Sequence, residues 1–141
     1  MAVVTRVYLS MPVIVNRNIE LAQFIAKIVR ENGLEVSSYW VAEEDPGTSM
    51  PPELVCKRDI SALDDSDVVI ADVSKPSVGV GMEIMYSIIH KKEVICLHRK
   101  GEVLSKLLIG MPGKTLIEYE TLQELHAELS RILEQVDKRP Q

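Results

Sequence analysis

Asp67-Val68-Val69-Ile70-Ala71-Asp72-Val73-Ser74-Lys75-Pro76-Ser77-Val78-Gly79-Val80-Gly81-Met82-Glu83 is the stretch on which the reading of this chain turns. Its first part is an apolar run between aspartates, which reads as a buried strand. Residues 74–81 are small or turn-forming and read as a loop, and residues 82–90 read as a helix. The next apolar run, 93–97, reads as another strand, so the stretch is the core of a βαβ unit.

The same alternation extends in both directions. Upstream, the β-branched run at 3–9 reads as a first strand that must end by Pro12, which has no N–H for a central ladder. Apolar residues then recur with a helical period over 18–31, and Asn32-Gly33 supplies the stop. A short second strand is expected at 34–39, a loop rich in turn residues at 43–52, and a helix at 52–63. Downstream, a short helix at 103–108, a strand at 114–118 and an amphipathic helix at 121–136 complete the pattern. Residues 1–136 are read as one domain and 137–141 as a frayed tail.

Five apolar strands separated by helices require right-handed crossovers and a parallel sheet covered on both faces. The expected fold is therefore α/β, a single-domain doubly wound sheet of the Rossmann or flavodoxin-like kind. Ligands of such sheets bind beyond the carboxyl ends of the strands where strand order reverses, which directs attention to residues 8–12 and 72–83.

Composition narrows the class of partner. The chain has 141 residues, 46% hydrophobic and 26% charged, with a net charge of −5. Acidic and basic residues are interspersed, so neither a nucleic-acid polymer nor an anionic membrane is an expected partner. Two cysteines, Cys56 and Cys96, are too few for a disulfide framework, and no signal-peptide profile or membrane-length run is seen. A cytoplasmic protein is expected.

The turn at 77–83 carries the densest chemical signal. Free N–H groups at a helix start attract a phosphate, and an early carboxylate, Glu83, would be held ionised there as a nucleophile. Glycines and an early glutamate at a helix start are also common stabilising devices with no catalytic duty. Asp59 stands beside Arg58, where a solvated pair is the plainer reading, and Tyr8 near the first strand end reads equally as packing. The turn lacks the lysine of a phosphate-binding Walker loop and the spacing of the dinucleotide fingerprint, so no ATP or NAD is expected. No metal-ligand spacing joins His90, His98 and His126, and no nucleophile elbow is present, so neither metal nor cofactor is expected.

Taken together, residues 67–84, Tyr8, Asp59, and Ile95-Cys96-Leu97-His98-Arg99 followed by Val103-Leu104-Ser105 resemble the nucleoside 2-deoxyribosyltransferase superfamily, and within it the 2′-deoxynucleoside 5′-phosphate N-hydrolases. The resemblance implies a retaining displacement in which Glu83 attacks the anomeric carbon, the base departs, and water releases the sugar phosphate. It also implies that Asp59 helps protonate the base or place the sugar, and that Tyr8 orients Glu83. Transferases of unphosphorylated nucleosides resemble the same stretch with an aspartate at the position of Ser77. A hydroxyl there can donate to a phosphate that a carboxylate would repel, which makes Ser77 and the Gly79 amide the expected phosphate contacts.

By the same resemblance, Ser105 reaches the phosphate of a neighbouring subunit and the protein is a homodimer, although read alone Ser105 is a helix-start serine. One departure concerns the loop Ser10-Met11-Pro12-Val13-Ile14-Val15-Asn16-Arg17, where Ile14 stands in place of an early phosphate-binding arginine. Either Arg17 substitutes from farther along, or the preferred substrate differs in base, sugar or phosphorylation. Ser10 and Arg17 join Ser77, Gly79 and Ser105 as expected substrate or phosphate contacts. The leading expectation is a nucleotide N-glycosidase; the rivals are a deoxyribosyltransferase and a non-catalytic nucleotide-binding module.

Overall fold

The computed structural model describes residues 4–137. Its elements are β1 (Arg6–Ser10), α1 (Ile19–Glu31), β2 (Glu35–Val36), a single 3-10 turn (Tyr39–Ala42), α2 (Pro52–Asp64), β3 (Val68–Asp72), α3 (Val78–Ile89), β4 (Glu93–Arg99), α4 (Lys106–Gly110), β5 (Lys114–Tyr119) and α5 (Leu122–Asp137). The five strands form one sheet in the order β2-β1-β3-β4-β5, every pair parallel. This is the doubly wound, flavodoxin-like order, and its reversal lies between β1 and β3.

Handedness assigns the helices to faces. From β1 the chain steps outward to β2 through α1, then crosses back to β3 through α2, so right-handed crossovers put α1 and α2 on opposite faces. Helices α3 and α4 continue in the direction of α2 and share its face, while α5 packs beside α1. Every residue of the central strand β3 is buried, as an apolar run covered on both sides requires. Ile25, Val29, Leu125, Leu129 and Leu133, all nearly inaccessible, close the face under α1 and α5.

Local chemistry sets the element ends, and some differ from the sequence expectation. Helix α1 begins where the Asn18 side chain accepts from the Leu21 N–H at 3.0 Å, and it ends at Gly33, whose φ of +77° suits a residue without a Cβ. Strand β2 is two residues long rather than six. Beyond it the Ser38 hydroxyl bonds both the N–H and the carbonyl of Leu9, at 2.7 and 3.1 Å, replacing the ladder with side-chain pairing.

The larger difference concerns α3, which starts at Val78, four residues before the expected start at Met82. Ser77 is its N-cap, accepting from the Val80 N–H at 3.4 Å, and Gly79 and Gly81 lie inside the helix. Interior glycines cost a helix about 1 kcal/mol each relative to alanine, which is why the sequence there reads as loop. Glu83 therefore lies in the second turn, not the first. The tail expected at 137–141 falls outside the described residues except for Asp137, which closes α5.

Candidate active site

At the switch point, the end of β1 and the loop after it, the segment after β2, the start of α3 and one side of α2 enclose a cleft of about 620 Å³. That volume suits a small organic ligand. Tyr8, Glu83, Asp59, Ser77 and Gly79 all line it. Sequence positions 8, 59 and 83 meet because β1 pairs with β3, with Tyr8 level with Val69, and α2 and α3 flank that pair on one face.

Glu83 is the centre of the constellation. The Tyr8 hydroxyl donates to its Oε2, and the Ser10 hydroxyl donates to its Oε1 at 2.8 Å. Burial pushes the Glu83 carboxyl up to about 7, and the nearby Asp59 charge adds to the rise, while the bonds from Tyr8 and Ser10 and the Arg58 guanidinium oppose it. This corrects the expectation that the helix terminus keeps Glu83 fully ionised. The exposed N–H groups of α3 lie a full turn away from a second-turn carboxylate, so desolvation wins. Burial, followed by the charge of Glu83, pushes the Tyr8 phenol far above its ordinary range, so Tyr8 is a donor throughout the working pH range.

Asp59 is not a solvated surface residue. Its Oδ1 accepts from Arg58 Nε at 2.8 Å, and Arg58 is held in turn on two other sides. The guanidinium lies over the Trp40 ring, 4.1 Å from its centroid, and Nη1 donates to the Pro46 carbonyl at 2.9 Å. Gly47 makes this arrangement possible: its φ is +89°, and a Cβ there would stand 2.8 Å from Arg58 Nη1. Gly47→Ala puts a side chain at a left-handed position, expected to cost about 1–2 kcal/mol, and makes the far end of Arg58 shift to clear the new Cβ. A thermal-unfolding midpoint several degrees below the wild type is the expected reading; an unchanged midpoint would contradict it.

Two expected contacts sit elsewhere. Ser10 has no exposed surface and is spent on Glu83 beneath the cleft floor, so it does not face a ligand. Arg17 does not line the cleft: its guanidinium donates to the carbonyls of Val41, Glu43 and Glu44, fastening the segment after the 3-10 turn. Carbonyls that no helix or strand satisfies are strong competitors for a nearby guanidinium. Ile14, 78% exposed, stands on the lip, and no cation from the β1–α1 loop reaches the cleft.

Ser105 is the N-cap of α4, accepting from the Leu108 N–H at 3.4 Å. It lines a smaller pocket of about 220 Å³ that shares Ser77 and Val80 with the main cleft. Trp40 and Arg58 are cleft residues that sequence reasoning did not single out. The signal for Trp40 was its place just past the carboxyl end of β2, and for Arg58 its adjacency to Asp59. Among the described residues no cluster of His, Cys, Asp and Glu is placed to hold a metal, and no helix is long and apolar enough to cross a membrane.

No protein-family model matches the chain. A Methanosarcina mazei protein assigned by name to the 2′-deoxynucleoside 5′-phosphate N-hydrolases is 35% identical over 124 residues, 82% of this chain and 76% of that protein. A Thermofilum pendens protein of the same assignment is 32% identical over 135 residues, 91% of this chain and 94% of its own. Among solved structures, a Clostridium botulinum CMP N-glycosidase superposes with a TM-score of 0.72 at 22% identity, covering 91% of this chain and 99% of its own, which shows a common fold. Identity above 30%, sustained over three quarters or more of these relatives, establishes that the chain belongs to the 2′-deoxynucleoside 5′-phosphate N-hydrolase family.

Proposed function

We propose that this protein is a glycosidase that hydrolyses the N-glycosidic bond of nucleoside 5′-monophosphates, releasing the free base and a 5-phospho-sugar. The observation that carries the reading is Glu83, held by two hydroxyl donors at the floor of a cleft that also presents Asp59, Ser77 and Gly79. In the first step a Glu83 oxygen bonds to the anomeric carbon while the C–N bond breaks and its electron pair leaves with the base. Asp59, braced by Arg58, assists proton delivery to the base or places the sugar. In the second step water attacks the same carbon, the ester bond to Glu83 breaks, and the carboxylate is restored.

Ser77 and the Gly79 amide receive the phosphate. The Ser77 hydroxyl accepts from Val80, which leaves its proton to donate, and a Cβ at Gly79 would meet nothing within 4 Å, so the backbone there is open to approach. A further hydrogen-bond donor comes from a second copy. Val103 and Leu107, both more than two thirds exposed, line the Ser105 pocket, and Val78 and Met82 at the start of α3 are as exposed; a homodimer covers this apolar surface while bringing the partner subunit's Ser105 to the phosphate. A sedimentation mass of one chain would remove this part of the reading. The free thiols of Cys56 and Cys96 accord with a cytoplasmic location.

The test is a panel of ribo- and deoxyribonucleoside monophosphates beside the matching nucleosides, with free base resolved by chromatography. Release from monophosphates and not from nucleosides is expected. As a nucleophile must be ionised, kcat/KM should rise about tenfold per pH unit below a limb near 7 and level off above it. Release from nucleosides alone, or from nothing in the panel, rejects the proposal.

A further inference from the structure

We propose that Ser10 is a positioning residue for the hydrolytic reaction: it pins Oε1 of Glu83 from beneath the cleft, so that Oε2, the oxygen shared with Tyr8, is the one that attacks the sugar. The inference rests on the hydrolase reading and adds a division of labour between the two oxygens.

The strand supplies the geometry. Residues 8 and 10 of a β-strand project from the same face, so β1 sends two hydroxyls toward α3 at successive same-side positions. Tyr8 lines the cleft, whereas Ser10 is wholly buried at the end of β1, level with the small Ala71 of β3. Its bond to Oε1 therefore lies below the floor, out of reach of any ligand. Among the described residues Ser10 is the one hydrogen-bond partner of Oε1, as Tyr8 is of Oε2.

A carboxylate held by one oxygen can rotate about its terminal torsion, which is broad and roughly two-fold. Held by both oxygens from two points on one rigid strand, its plane is fixed and one oxygen is committed to the ligand side. The second donor also eases ionisation of a group that burial disfavours. The charged and titratable groups facing Glu83 are Tyr8 from β1 and Asp59 and Arg58 from α2. Ser10 is the neutral member, and because it touches no ligand its replacement acts only through Glu83, on the placement of the carboxylate and on its ionisation.

The experiment uses full-length protein and two variants, Ser10→Ala and Ser10→Cys, each checked for a native circular dichroism spectrum. The first removes the donor; the second keeps a weak donor of similar size. The Glu83 carboxyl is titrated by carbon NMR in the unliganded protein, and base release is followed against pH. Ser10→Ala is expected to raise the Glu83 titration midpoint by about one pH unit, move the acid limb of kcat/KM with it, and lower kcat about tenfold with KM within about twofold. Ser10→Cys should fall between the two. An unmoved midpoint and unchanged kcat in Ser10→Ala overturn the inference while leaving the hydrolase intact. A shifted midpoint in a protein that releases no base from any nucleotide rejects the hydrolase reading and, with it, the assignment of the attacking oxygen.

Discussion

Replacing Glu83 with glutamine is expected to lower kcat for base release by a factor of at least about 10³ while making the protein more stable above neutral pH. The two effects share one cause. The folded protein holds the Glu83 proton up to about 7, well above the ordinary carboxylate value, so between about 4.5 and 7 the folded state binds more protons than the unfolded state. Ionising Glu83 in place therefore opposes folding: the cost is absent below about 4.5, grows as pH rises to 7, and is constant above. Its full size is up to about 3 kcal/mol, reduced by the solvent in the open cleft. Glutamine keeps the shape, carries no charge and can bond both hydroxyls, so the Glu83→Gln melting midpoint should exceed the wild type by several degrees at pH 8 and match it near pH 4. An equal or lower midpoint at pH 8 would mean that the carboxylate is not strained by its surroundings.

Ser77→Asp is expected to invert the preference for phosphorylated substrates. Aspartate caps a helix as well as serine does, so α3 and the fold should be retained. What changes, in the proposed site, is the charge at the position assigned to the phosphate. Two unit charges 4 Å apart at an effective dielectric of about 20 repel by about 4 kcal/mol, enough to lower kcat/KM for monophosphates by about 10² to 10³. Nucleosides, which carry no phosphate, should lose nothing. The decisive quantity is the ratio of kcat/KM for a monophosphate to that for its nucleoside. If both fall together, Ser77 is a cap and nothing more.

The parts of this molecule legible in its sequence are those governed by long apolar runs. Val68 to Ala71 and Val94 to Leu97 could be read as central strands because burial on both faces leaves no other composition available. Strand β2 was legible in place but not in length, because Ser37 and Ser38 move the backbone bonds of β1 onto side chains. The start of α3 was misplaced because Gly79 and Gly81 carry a loop signal that the Ser77 cap overrides. Glu83, Tyr8 and Asp59 could be named through resemblance, yet nothing in their spacing reveals a bond spanning 75 residues; that depends on sheet register. The depressed ionisation of Glu83 was equally hidden, since it arises from burial by residues distant in the chain. The carbonyl partners of Arg17 were hidden because a sequence gives no account of which main-chain carbonyls are left unsatisfied nearby.

The two arginines that fasten the segment after β2 do so by gripping its main chain: Arg17 at Val41, Glu43 and Glu44, Arg58 at Pro46. Gly47 apart, such a clasp grips main chain and not the side chains between and beyond its anchor points. Thr48 and Met50, which face the cleft, can therefore be exchanged without releasing the wall they belong to. Natural divergence, or a directed library confined to these positions, could remodel this wall of the cleft while Glu83 and its two donors stay untouched.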